Sequence, residues 1–222
     1  MKTFLFGCVQ WGIHLCFAHN GEIPKYYSSK DDAPSFQDKL YQPLGDTDSE
    51  AFFCDMLNYL ATEFPSSPPS KTDLYETVHQ FCTRIAYEHD YIILNFLLSF
   101  GENVVLAYSW PGKRPEGKVW NGLHYALRRR LNHGVEDIAA IVSTKPLSEG
   151  LDNACDEWIE MKRNQLILFE RGIPHASDPT TTLVHDISRL RESIESTAKV
   201  VLEDRACKLI CNMMPVVRFT AI

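Results

Sequence analysis

Basic charge is in short supply: 22 Lys and Arg stand against 29 Asp and Glu, a formal net charge of -7. Such a chain repels phosphate backbones and gathers no counterion-release energy from them, so a nucleic-acid partner is excluded as a working expectation. Arg128-Arg129-Arg130 forms a dense basic cluster, and it reads as a solvated strand end. Uninterrupted apolar runs are also missing, since none reaches the roughly 20 residues of a membrane span. The apolar stretch from Thr3 to Ala18 imitates a secretory leader, but Gln10, Trp11, Gly12 and His14 interrupt it, and a buried strand is the preferred reading. A disulfide framework is lacking as well. Seven cysteines, at 8, 16, 54, 82, 155, 207 and 211, are odd in number and sit in apolar context, as reduced thiols of a cytoplasmic protein do. Cys16-x-x-His19 and Cys207-x-x-x-Cys211 have no second pair at zinc-site spacing, so structural thiols and no metal or other cofactor are expected.

What is present is a succession of short periodic segments. Residues 12–18 read as a strand and His19-Asn20-Gly21-Glu22 as a tight turn, followed by a Pro-rich surface loop over 24–45. Thr47 and Glu50 stand in the capping-box relation at the head of a helix whose apolar stripe is Phe53, Met56, Leu57, Leu60 and Phe64. Pro65-Ser66-Ser67-Pro68-Pro69 stops it, and a second helix is expected from about Thr72 to Tyr87. Two strand runs, 94–99 and 104–108, flank Phe100-Gly101-Glu102-Asn103 as a hairpin, and further strands are expected at 122–128, 138–144 and 166–169. From Thr182 to Arg205, Val184, Ile187, Leu190, Ile194, Ala198, Val201 and Leu202 recur at helical spacing, giving an amphipathic helix that docks at home or on another subunit. Strand runs interrupted by a helical pair make this an α+β layered chain, divided into a domain over 1–175 and a helical extension over 176–222.

The order of motifs is more specific. Phe17-Ala18-His19-Asn20-Gly21-Glu22-Ile23, Gly45-Asp46-Thr47-Asp48-Ser49-Glu50-Ala51-Phe52-Phe53 and Asn95-Phe96-Leu97-Leu98-Ser99 follow one another, and Leu123-His124-Tyr125 and Val142-Ser143-Thr144-Lys145-Pro146-Leu147 come later. Together, over roughly residues 10–172, they resemble the class II glutamine amidotransferases of the YafJ type. The resemblance implies an amino-terminal-nucleophile fold, a four-layer αββα sandwich, and hydrolysis of a γ-glutamyl amide by a terminal cysteine whose own amine is the base. It assigns Asn20 and Gly21 to an oxyanion hole and Asp48 to the substrate's α-ammonium, with His19 and Ser49 in support. Its substrate partner is a small γ-glutamyl molecule.

One departure bears on activity. Where the family carries its nucleophile directly after the initiator methionine, this chain has Lys2, and neither Cys8 nor Cys16 owns a free α-amine. The expectation is therefore an amino-terminally incomplete and inactive form of the domain. Two alternatives stand beside it: a non-catalytic γ-glutamyl-binding or regulatory protein assembling through the 182–205 helix, and a secreted protein without the pocket.

Overall fold

The computed structural model describes residues 4–27, 34–88, 91–112, 122–132, 135–146, 158–176 and 210–211. The amphipathic segment 182–205 lies outside them. Two strands open the chain, β1 (Phe4–Gln10) and β2 (Ile13–Glu22). They form a hairpin across Trp11 and Gly12, whose φ values of 53° and 75° give the left-handed pair that a two-residue turn of the right twist requires. This corrects the expected turn at 19–22: all four residues belong to β2 and neither Asn20 nor Gly21 has a positive φ. Eight consecutive pairs with β3 (Ile93–Phe100), from Leu15↔Phe100 to Glu22↔Ile93, override the local Asn-Gly preference.

After the 3-10 turn Pro24–Tyr26, helices α1 (Asp48–Glu63) and α2 (Lys71–Glu88) take the expected places. The capping box is half made. Glu50 N–H donates to Thr47 Oγ1, but the Glu50 carboxylate accepts from Leu44 N–H at 3.0 Å and Gly45 N–H at 2.9 Å, tying down the end of the loop. The hairpin of β3 with β4 (Val104–Trp110) turns at Gly101, φ 68°. Then come β5 (His124–Asn132), β6 (Val135–Ser143), β7 (Ile159–Glu160), β8 (Gln165–Glu170), β9 (Ile173–Ala176) and β10 (Ile210–Cys211).

They build two sheets, β1-β2-β3-β4-β8-β9 and β10-β6-β5-β7. One face of the six-stranded sheet buries Phe17, Phe96, Leu98, Leu106, Tyr108 and Leu168 under Phe52, Met56, Leu60, Val78, Phe81 and Ile85 of the helices. Its other face sets Leu97, Ala107, Ile167 and Phe169 against Tyr125, Ala140 and Val142 of the second sheet. Strands buried on both faces explain the continuous apolar runs of β3, β4 and β8. The described residues thus form three layers: helices, sheet, sheet. Among them no helix is long and apolar enough to cross a membrane, and no three His, Cys, Asp or Glu side chains are grouped to hold a metal ion.

Candidate functional site

Side chains alternate along β2, so His19 and Gly21 face the helices and Asn20 faces the second sheet. His19 is 1% exposed and stacked on Phe17. Its Nε2 lies 3.3 Å from the Ile93 carbonyl, which only accepts, so Nε2 carries the proton and Nδ1 accepts from Ser49 Oγ–H at 2.8 Å. Burial pushes the imidazole down to about 4, against smaller upward pulls from Asp48 and the Ile93 carbonyl, and the ring is neutral at pH 7. A neutral histidine therefore pins the first turn of α1 to β2.

Asp48, the first residue of α1, is held by two backbone donors: Ile23 N–H to Oδ2 at 2.7 Å and Ser49 N–H to Oδ1 at 2.8 Å. The positive end of the helix dipole lies against it; Ser49 Oγ also lies 3.4 Å from Oδ1, and Oδ2 keeps a lone pair for a further donor.

Gly21 is required by space. An added Cβ would lie 1.8 Å from the Ile93 carbonyl oxygen and 2.7 Å from His19 Nε2. The direction of its N–H follows from the alternation of β2 backbone groups. The carbonyls of His14 and Asn20 accept from Gly101 N–H and from the Asn95 amide on β3, so even-numbered residues of β2 address β3 and odd-numbered ones address β1. The described pairing with β1 ends at Phe4↔His19, one odd-numbered position before Gly21. Gly21 N–H thus points along the edge on which, two residues further, Ile23 N–H meets Asp48. Asn20, Gly21 and Asp48 are brought together at this corner of the sheet. The Asn20 side chain leaves over the sheet face and Gly21 N–H along the edge, an arrangement that can present two N–H donors to one oxygen with a carboxylate nearby.

Asn20 also opens a polar row that sequence reading missed. Cross-strand register sets Asn20, Asn95, Ser109 and Gln165 side by side on β2, β3, β4 and β8, all at most 5% exposed and facing the second sheet. Asn95 and Ser109 each break an apolar run, which is a visible signal, but the alignment of the four depends on strand register.

The thiols do not gather at this corner as nucleophiles. Burial, with Cys16 nearby, raises Cys8 to about 11; burial and the neighbouring Glu50, Cys8 and Asp55 do the same for Cys54. Cys82, wholly buried, is raised well above the usual thiol range. Cys16 and His19 fall on opposite faces of β2, so their spacing makes no ligand pair.

The family model for "Glutamine amidotransferases class-II" matches residues 1–193. The chain belongs to the class II glutamine amidotransferases. Among relatives of this family, a protein of Haemophilus influenzae named by inference as a glutamine amidotransferase is 27% identical over 179 residues, 73% of this chain and 52% of that one. YafJ of Escherichia coli K12, named by the same inference, is 24% identical over 155 residues, 62% of this chain and 52% of its own length. The chain therefore spans about half the length of these two class II relatives. A crystal structure of a predicted glutamine amidotransferase from Pseudomonas aeruginosa PA01 superposes with a TM-score of 0.57 at 23% identity, covering 78% of this chain and 64% of that one, and shows the shared fold.

Proposed function

We propose that this chain carries the oxyanion-donating and γ-glutamyl-binding side of an αββα amino-terminal-nucleophile domain, the family reaction being hydrolysis of a γ-glutamyl amide. The supporting observation is the Ile23 N–H to Asp48 hydrogen bond, which sets the carboxylate on the strand edge toward which Gly21 N–H is directed. In this reading the carboxylate grips the α-ammonium of glutamine or a related small γ-glutamyl compound. Asn20 Nδ2–H and Gly21 N–H receive the γ-carbonyl oxygen, where negative charge develops when a thiolate adds to the carbonyl carbon. Loss of one such donor typically raises a barrier by about 3 kcal/mol.

The 222-residue polypeptide binds such a ligand without turning it over, because none of the four described thiols, Cys8, Cys16, Cys54 and Cys82, carries the free α-amine that is the base of the family reaction, and burial shifts Cys8, Cys54 and Cys82 away from the thiolate. A reducing cytoplasm suits the four unpaired cysteines seen among the described residues. Calorimetry with L-glutamine tests the pocket: wild type binds, and Asp48→Ala weakens binding at least tenfold, the scale of a lost charged hydrogen bond. Absence of binding by the wild-type chain refutes the pocket. Ammonia release from glutamine by the same purified chain refutes the inactivity.

A further inference from the structure

The polar row contains a directed hydrogen-bond chain. Leu123 N–H, at the entry to β5, donates to Ser109 Oγ at 2.9 Å. Ser109 Oγ thereby keeps its own proton to donate, and it lies 3.4 Å from Asn95 Oδ1. Asn95 Nδ2 lies 3.3 Å from the carbonyl oxygen of Asn20, which can only accept, so the orientation of the Asn95 amide is fixed at both ends. The Asn20 carbonyl and Gly21 N–H belong to one planar trans peptide and point in opposite directions. Every donor in the series points the same way, from the second sheet toward the Gly21 amide.

We propose that Asn95, backed by Ser109, is a positioning residue that orients and polarises the Asn20–Gly21 peptide, so that Gly21 N–H is a fixed and strengthened donor on the far side of β2. That this N–H receives a glutamyl carbonyl oxygen rests on the function proposed above. Asn95, Ser109 and Leu123 are each 0% exposed and Asn20 is 5% exposed, so water does not compete for these bonds and each polarises the next. The relay gives a purpose to polar groups buried between two otherwise apolar sheet faces, where an apolar row would pack at lower desolvation cost. It also joins the second sheet to the site corner without direct contact with a ligand.

The test uses the full 222-residue chain labelled with 15N, with L-glutamine and L-norvaline as ligands. The two share the α-amino acid head, and norvaline lacks the side-chain amide. Asn95→Leu removes the side-chain donor to the Asn20 carbonyl and leaves it only the ladder N–H of residue 95. Ser109→Ala removes only the upstream link and keeps the variant set informative if the first substitution prevents folding. The expected result is an upfield move of the Gly21 amide proton in both variants, larger in Asn95→Leu, with the Phe17 amide unmoved. Glutamine affinity falls about tenfold in Asn95→Leu, the equivalent of one hydrogen bond, while norvaline affinity stays at the wild-type value. A Gly21 resonance that stays in place in the folded variants, or equal weakening of both ligands, overturns the relay. Should the wild-type chain bind neither ligand, the glutamyl reading fails, and the Gly21 shift alone decides the relay.

Discussion

A methyl group on Gly21 would have to displace the backbone of β3, because the Ile93 carbonyl oxygen lies 1.8 Å from where it would sit. A backbone neighbour held in the β2–β3 ladder cannot rotate aside, so Gly21→Ala is expected to cost roughly 3 kcal/mol or more in denaturant unfolding. Unfolding within about 1 kcal/mol of wild type would show that the strands separate more easily than their register implies. His19, next but one, gives a pH signature. Its folded value near 4 is below the unfolded 6.5, so the unfolded chain binds the extra proton as pH falls between them. The contribution is complete above pH 6.5 and is lost on descending toward pH 4, on the order of 3 kcal/mol in all. Urea titrations at pH 7, 5.5 and 4.5 should show this fall in wild type and a flatter profile in His19→Leu. Parallel profiles would mean that the imidazole is hydrated in solution.

At the scale of elements, the helix starts carry clear local signals. Thr47 sits in extended conformation before α1 and accepts from Glu50 N–H, so Thr47→Ala should lower stability by about 1 kcal/mol. Thermal melts read that cost, and an unchanged midpoint would show the cap to be redundant with Asp48. Both helices, the β3-β4 hairpin and the core positions of β8 are legible in periodicity, because amphipathic stripes and turn glycines act within a few residues. The segment 19–22 is not, because Asn-Gly carries the same local preference in a turn as in a strand that long-range pairing holds extended. Glu50 shows the same limit: its spacing from Thr47 is a capping box, yet its carboxylate serves Leu44 and Gly45, a choice set by the path of the loop. Of the candidate site, Asn20, Gly21 and Asp48 stand out in the sequence only as residues of the family-like motifs. The row through Asn95, Ser109 and Gln165 is not, since three independent registers must be known to align it.

At the scale of the whole molecule, the second sheet covers the middle of the six-stranded sheet, where Leu97, Ala107 and Ile167 are buried, and leaves β1 at the margin. On that margin Leu5 is 45% and Val9 is 54% exposed. The alternation that turns odd-numbered β2 backbone groups toward β1 turns those of Leu5, Gly7 and Val9 away from it, where they have no strand partner among the described residues. Exposed apolar side chains beside unpaired backbone donors and acceptors are a template for edge-to-edge pairing, which folded proteins ordinarily block with charge, proline or a bulge. Residues 4–10 contain none of these: the sequence is Phe-Leu-Phe-Gly-Cys-Val-Gln, paired without a register shift. The purified 222-residue chain should therefore self-associate reversibly as its concentration rises. Val9→Lys should oppose this by placing a cation on the edge while leaving the pair with His14 intact. Sedimentation velocity across a hundredfold concentration range distinguishes the cases. A wild-type chain that stays monomeric throughout would mean that the β1 edge is already satisfied, whereas association that Val9→Lys fails to reduce would place the contact on another surface.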